Sequence, residues 1–276
     1  MSSELWRVIA PGVRCLRAPN PGIMTGTGTN TYVLGEERFA VVDPGPLTEP
    51  HLQQILHMCA SGKIEQIWLT HAHPDHANGI PRLMELTQAK LLSFPVPAPT
   101  YPIPNLPAPD IIACDGNLIR WEEHVWEIFH TPGHASDHLC FFRRDDGGLL
   151  TGDLIVGAGT VVIAPPDGNM QAYFHSLKRL LALGPKVLWP GHGEPISCAQ
   201  EKIEEYLSHR LQRERQIMAT LHESGPTSLD SLVKQIYAPV SPALHPIAAR
   251  QLHAHLLKLS AEGVAASDAN EQWSLL

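Results

Sequence analysis

Residues 68–79, WLTHAHPDHANG, place three histidines and an aspartate within six positions and set a proline among them. His71 and His73 are two apart, a spacing that puts both side chains on one side of an extended chain. Pro74 biases His73 away from helical angles, so the pair stays extended and suits one metal ion. Beyond the proline the chain can turn, which lets Asp75 and His76 project elsewhere and serve a second ion. One loop cannot complete two ions, so further ligands are expected at strand ends downstream.

The sequence offers them. His134 in HTPGHASDH, Asp153 in LLTGDLI and His192 in VLWPGHGEP each follow an apolar run and a glycine or proline, where side chains emerge at the edge of a sheet. Asp43 in VVDPG has an equivalent place. The runs RFAVVDPG, IEQIWLTH, HVWEIFHTPGH, LCFFRR, GLLTGD and KVLWPGHG predict strands. Between them EPHLQQILHMCA, NGIPRLMELTQ and MQAYFHSLKRLLAL predict helices, the interleaving of a layered α/β or α+β domain. Phe94–Asp110 holds seven of the 25 prolines and is expected to be a stiff surface connector. After Pro195, three helical patterns precede a tail, VAASDANEQWSLL, that suits two short strands. The division expected is a catalytic domain over 1–208 and a winged-helix module over 209–276.

The set VVDPG, THAHPDH, HTPGH, TGD and PGHG, in this order and with these gaps, resembles the metallo-β-lactamase superfamily. The resemblance implies a four-layer αββα sandwich with metals at one edge. It implies that His71, His73 and His134 bind a first zinc, that Asp75, His76 and His192 bind a second, and that Asp153 bridges them. Asp43 would brace the histidine loop. The cofactor expected is a pair of Zn²⁺ ions, with Mn²⁺ or Fe²⁺ as alternatives. Relatives that reduce oxygen with iron carry a glutamate where this chain has His73, which favours zinc hydrolysis. Many β-lactamases replace the bridging aspartate by cysteine and are exported, which Asp153 and the start of this sequence do not suggest. GTGTNTYVLG, TGDLIVGAGT and PALHPIAA extend the likeness to the β-lactamase-like protein 2 family, some members of which cut single-stranded RNA.

These likenesses imply a dinuclear hydrolase using a metal-bridging hydroxide, with Asp75 as the catalytic residue that orients the nucleophile. Single-stranded RNA is the first substrate expected, and a small anionic molecule, thioester or lactone, as in glyoxalase II, is the alternative. A winged-helix regulator with a vestigial metal site is a distant third. His138 and His245 are candidates to protonate the leaving group but are read as structural, His130 is left open, and no substrate-binding residue is assigned.

The formal charge of −8 argues against broad attraction to nucleic acid or anionic lipid. Positions 201–276 hold seven Lys or Arg against nine acidic residues, so strong duplex DNA binding is not expected. In the helical pattern HPIAARQLHAHLLKLSAEG, ending at Gly263, Ala248, Leu252, Leu256 and Leu259 form the buried stripe, with Arg250, Gln251, His255 and Lys258 on the other face. The module is expected to pack on the sandwich, wall the site or form a homodimer. Five cysteines without a C-x-x-C pair suggest reduced thiols. With no signal-like segment or apolar run of membrane length, the cytoplasm is the expected compartment and no membrane partner is expected.

Overall fold

The computed structural model describes residues 6–95 and 105–276, so the middle of the proline-rich connector lies outside the described residues. A first sheet of seven strands follows chain order: β1 (Trp6–Ala10), β2 (Val13–Arg17), β3 (Asn30–Leu34), β4 (Arg38–Val42), β5 (Lys63–Trp68), β6 (Lys90–Ser93) and β7 (Ile111–Ile112). It is antiparallel up to β4 and parallel from there on. The second sheet holds β8 (Leu118–Trp121), β9 (His124–His130), β10 (Leu139–Arg143), β11 (Gly148–Gly152) and β12 (Val187–Pro190), with a parallel β11–β12 pair at one edge.

Period-two alternation sorts the side chains of these strands into two cores. Val33 and Val41 face outward onto α1 (Glu49–Met58) and α3 (Ile80–Thr87), where Leu52, Ile55, Ile80 and Leu83 cover them. Tyr32, Leu34, Ala40 and Val42 face inward against the second sheet. There Trp68 meets Trp126 and Trp121 edge-on at 5.8 and 6.0 Å, an arrangement that suits the ring quadrupoles. On the far side, Cys140 and Leu149 pack under α4 (Met170–Leu183) and the start of α5 (Ala199–Ser224). The layers therefore run helix, sheet, sheet, helix. Asn169 caps α4 by accepting from the Ala172 amide, and Gly184, at φ 69°, ends it in the left-handed region. Cys15, Cys59 and Cys140 are buried, Cys114 and Cys198 are exposed, and all five thiols are free.

The C-terminal module joins α6 (Leu229–Ile236) and α7 (His245–Ala261) to a small sheet of β13 (Thr227–Ser228), β14 (Ala265–Ser267) and β15 (Gln272–Leu275). Its core contains Leu232, Leu252, Leu256, Leu259 and Trp273. The point between 208 and 209 falls inside α5: Ile203 and Tyr206 belong to the core beneath α4, whereas Ile217 and Leu221 belong to that of the module. The expected stripe Ala248, Leu252, Leu256 and Leu259 is buried. The opposite face departs from expectation, because Gln251 and His255 are buried as well. Ala254 enters the core beneath α4 and the Lys258 ammonium lies 5.0 Å from the Phe174 ring centre, so this face is covered by the sandwich. Among the described residues no helix is long and apolar enough to cross a membrane.

Candidate metal centre

β4, β5, β9, β11 and β12 all end at the same edge, and Asp43, the histidine loop, His134, Asp153 and His192 come in turn after their last residues. Asp43, directly after β4, adopts φ 51° and is buried. Its Oδ1 accepts from the Thr70 amide at 2.8 Å, and its Oδ2 accepts from the Thr70 hydroxyl at 2.7 Å and from His76 Nδ1 at 2.8 Å. One carboxylate thus fixes both ends of the histidine loop, the place expected for it. Pro74 opens the one-turn helix α2 (Pro74–Ala77), with His73 extended at φ −72°, ψ 145° before it. The turn is what separates Asp75 and His76 from the first pair.

The structure brings all seven predicted ligands together. His71 Nε2 lies 3.0 Å from His73 Nδ1, and His134 Nε2 lies 2.9 Å from the same atom. Asp75 Oδ2 lies 3.3 Å from both His76 Nε2 and His192 Nε2. Asp153 stands between the two trios: Oδ1 is 3.5 Å from His76 Nε2, while Oδ2 is 3.2 Å from His192 Nε2 and 3.7 Å from His134 Nε2.

Hydrogen bonds on the outer nitrogens set the tautomers. The Thr70 hydroxyl donates to Asp43, so its oxygen accepts from His71 Nδ1 at 3.0 Å. His134 Nδ1 donates to the Val162 carbonyl at 2.8 Å, and His192 Nδ1 faces the Gly28 carbonyl at 3.3 Å. Burial keeps His71 and His134 below the ordinary imidazole range and His73 down to about 3, so these rings are neutral. Lone pairs on neutral rings about 3 Å apart repel unless a cation lies among them. Donors arranged tetrahedrally around zinc at about 2.0–2.1 Å would stand about 3.3 Å apart, close to these separations. His76 Nε2 and Asp153 Oδ1 are buried with no hydrogen-bond partner among the described residues, which a second cation would supply. The donors therefore fit a pair of divalent cations.

Around the second trio the electrostatics differ. Burial disfavours charge on His192, but Asp153 and Asp75 outweigh it and push the ring up to about 9. Burial also opposes charge on Asp75 and Asp153, yet the facing histidines hold both carboxyls well below their usual range.

Several residues here carried no assigned role in the sequence. Thr29 donates its hydroxyl to Asp75 Oδ2 at 2.9 Å, and Asn20 donates to Thr29 Oγ1 at 3.0 Å. Asp137 accepts the Ala72 amide at 2.9 Å, between His71 and His73, and burial pushes its carboxyl up to about 6. His138 is fully buried; its Nε2 accepts the Asp153 amide at 3.1 Å, and its Nδ1 pairs with the Thr131 hydroxyl. It supports a ligand and does not face substrate. His130 donates to the Ser136 carbonyl and stacks on Phe94, and His245 donates to the Val240 carbonyl.

A cavity of about 540 Å³ opens over His73, Asp75, His134, Asp153 and His192. Its walls are Met24, Val162, Ala164 and Ile247, with Arg250 and Asp167 also lining it. An adjoining lobe of about 370 Å³ runs from His134, Asp153 and His192 to Ile23, Val156 and Arg17. Ile247 and Arg250 come from α7, so the module walls the site.

Comparison with known proteins bears on this arrangement. A family model described as the metallo-beta-lactamase superfamily matches residues 24–192, and one described as a beta-lactamase associated winged helix domain matches 228–273. A beta-lactamase-like protein 2 homolog of Drosophila melanogaster is 33% identical over 262 residues, 88% of this chain and 86% of that one. An atrochrysone carboxyl ACP thioesterase of Aspergillus fumigatus is 32% identical over 218 residues, 78% of this chain and 66% of that one. A beta-lactamase domain protein from Burkholderia ambifaria has the same fold, with TM-score 0.88 at 21% identity, covering 100% of this chain and 94% of its own. The chain thus belongs to the metallo-beta-lactamase superfamily, with a beta-lactamase associated winged helix domain at its C-terminal end.

Proposed function

We propose that this chain is a dinuclear metal hydrolase that cleaves acyl thioesters. Superfamily members are generally hydrolases, and the finer reading is carried by one observation: the cavity over the ligands is walled mainly by apolar side chains, Met24, Val162, Ala164 and Ile247. An acyl chain gains from such a wall, whereas an RNA strand calls for a basic track and stacking rings. The ACP thioesterase relative supports the same substrate class.

His71, His73 and His134 would hold one ion, Asp75, His76 and His192 the other, and Asp153 both; this imidazole-rich set suits zinc. When bound, the ions would polarise the attacked carbonyl and acidify a water. Asp75 has one oxygen fixed by Thr29, so its carboxylate is held in one orientation to accept a hydrogen bond from the nucleophile. Its strongly depressed pKa makes it an orienting group and a poor store for a proton. A thiolate leaves without full protonation, because a thiol ionises near 8.5, so the reaction needs no strong acid in the cavity. The apolar wall excludes water from the acyl portion and sets which chains fit. With Gln251 and His255 covered by the sandwich, α7 has little free polar face for a duplex groove, which supports the expectation of no strong duplex DNA binding.

The test is turnover of the zinc-loaded protein on acyl-pantetheine thioesters and, in parallel, on an unstructured RNA. Thioester cleavage that falls about 10²-fold or more in Asp75→Ala is expected. RNA cleavage lost in the same variant, with inert thioesters, would replace this reading by the endoribonuclease one.

A further inference from the structure

Residues 158–163, AGTVVI, lie in neither helix nor strand, yet Val161 and Ile163 are buried. Backbone groups in such a segment need partners, and here side chains from elsewhere provide them. Tyr206 of α5 donates its hydroxyl to the Gly159 carbonyl at 3.3 Å. Arg210, one turn further along α5, donates Nη2 to the Val161 carbonyl at 2.6 Å. Gln251 of α7 accepts the Ile163 amide on Oε1 at 2.8 Å. Between these two anchors sits the Val162 carbonyl, which takes the Nδ1 proton of His134 at 2.8 Å.

We propose that Arg210 and Gln251 are positioning residues for His134: by clamping Val161 and Ile163 they fix the Val162 carbonyl, and through it the C-terminal module sets how tightly the first trio binds its ion. The inference rests on the metal-centre reading above. The physical reason is that a ligating imidazole is held in its tautomer and ring orientation by the acceptor on its outer nitrogen, and loosening that acceptor typically costs about 10–100-fold in affinity. A carbonyl in a strand would be fixed by its own ladder. This one depends on two side chains of helices that also build the module.

Both anchors are expensive to bury for packing alone. Arg210 is 1% exposed and Gln251 7%. Each spends one polar atom on the strip, while Arg210 Nε and Gln251 Nε2 have no hydrogen-bond partner among the described residues. The far end of the strip is tied to the loop that carries His134. Asp167 Oδ1 accepts the Ser136 amide at 3.1 Å, and the Asn169 amide donates to the Gly133 carbonyl at 2.8 Å. Carbonyl and imidazole are therefore referenced to each other from one side by this loop and from the other by the module.

The experiment measures zinc affinity by competition with a chromophoric chelator in two backgrounds. His192→Ala weakens the second trio and reports the first; His71→Ala weakens the first and reports the second. Gln251→Met keeps the length and apolar stem while removing the acceptor for Ile163. It is expected to lower affinity about tenfold in the His192→Ala background and to leave it unchanged in the His71→Ala background. Arg210→Met, which removes the other anchor, is expected to act in the same direction and serves if the first variant does not fold, as judged by circular dichroism. Unchanged affinity in a folded variant, or an equal loss in both backgrounds, would overturn the proposal. Failure of the unsubstituted protein to bind zinc would instead overturn the metal-centre reading, and this inference with it.

Discussion

Four imidazoles, those of His71, His76, His134 and His192, turn Nε2 toward the cluster because their Nδ1 atoms are engaged by Thr70, Asp43, the Val162 carbonyl and the Gly28 carbonyl. Their proton loads differ, and a pH prediction follows. The first trio is neutral at pH 7 because burial holds its pKa values down. His192, raised to about 9 by Asp153 and Asp75 against the effect of burial, carries an Nε2 proton below that pH which a cation must displace. Zinc affinity of the second trio is therefore expected to rise between pH 6 and 9 while that of the first changes little; chelator competition across that range checks it, and equal slopes would contradict it. The seven side chains that gather at this edge were legible in the sequence because few side chain types bind metal and glycine or proline turns mark where strands end. Thr29 and Asp137 were not legible as site residues: their partners are a carboxylate 46 positions away and a backbone amide, and no residue-type pattern encodes those.

At the scale of elements, the β12 end shows how little room the centre leaves. A Cβ on Gly191 would lie 2.5 Å from Asp153 Oδ1 and 2.8 Å from His76 Cε1. Gly191→Ala is accordingly expected to displace the Asp153 carboxylate and lower turnover by about 10²-fold, with metal content falling in parallel; retention of both would show that the edge can yield. Strands β4, β5 and β9 to β12 were readable because strands covered on both faces appear as continuous apolar runs. β1 was not, since exposed Val8 breaks its pattern, and a two-residue β7 carries no period at all. For α7 the apolar stripe was correct, but periodicity reports only which face is oily. It does not report that a second domain will cover the polar one, as happens at Gln251 and His255.

For the molecule as a whole, the layered fold and its appended module were both visible in the sequence, and the join between them was not, because its contacts, apolar at Ala254 and polar at Gln251, link residues far apart in the chain. Glu214 of α5 accepts from Lys258 of α7 at 3.0 Å and pairs with His255 at 3.2 Å. Burial pushes the Glu214 carboxyl up, but these two bonds outweigh it and the pKa is lowered. A lowered folded-state pKa stabilises above the ordinary carboxylate range and ceases to as pH falls through the folded value. Glu214→Gln is thus expected to cost about 1–3 kcal/mol in urea unfolding at pH 7, with the gap closing below about pH 4; a gap independent of pH would refute the linkage. The continuity of α5 through both cores has a further consequence. Each residue of an α-helix advances about 1.5 Å and turns about 100°, so inserting one residue between Tyr206 and Ile217 would swing the module around the helix axis and carry Ile247 and Arg250 off the cavity mouth. α5 works as a ruler with a phase: the substrate wall is set by a count of helical turns, and changes in its length are tolerable only in near-whole turns.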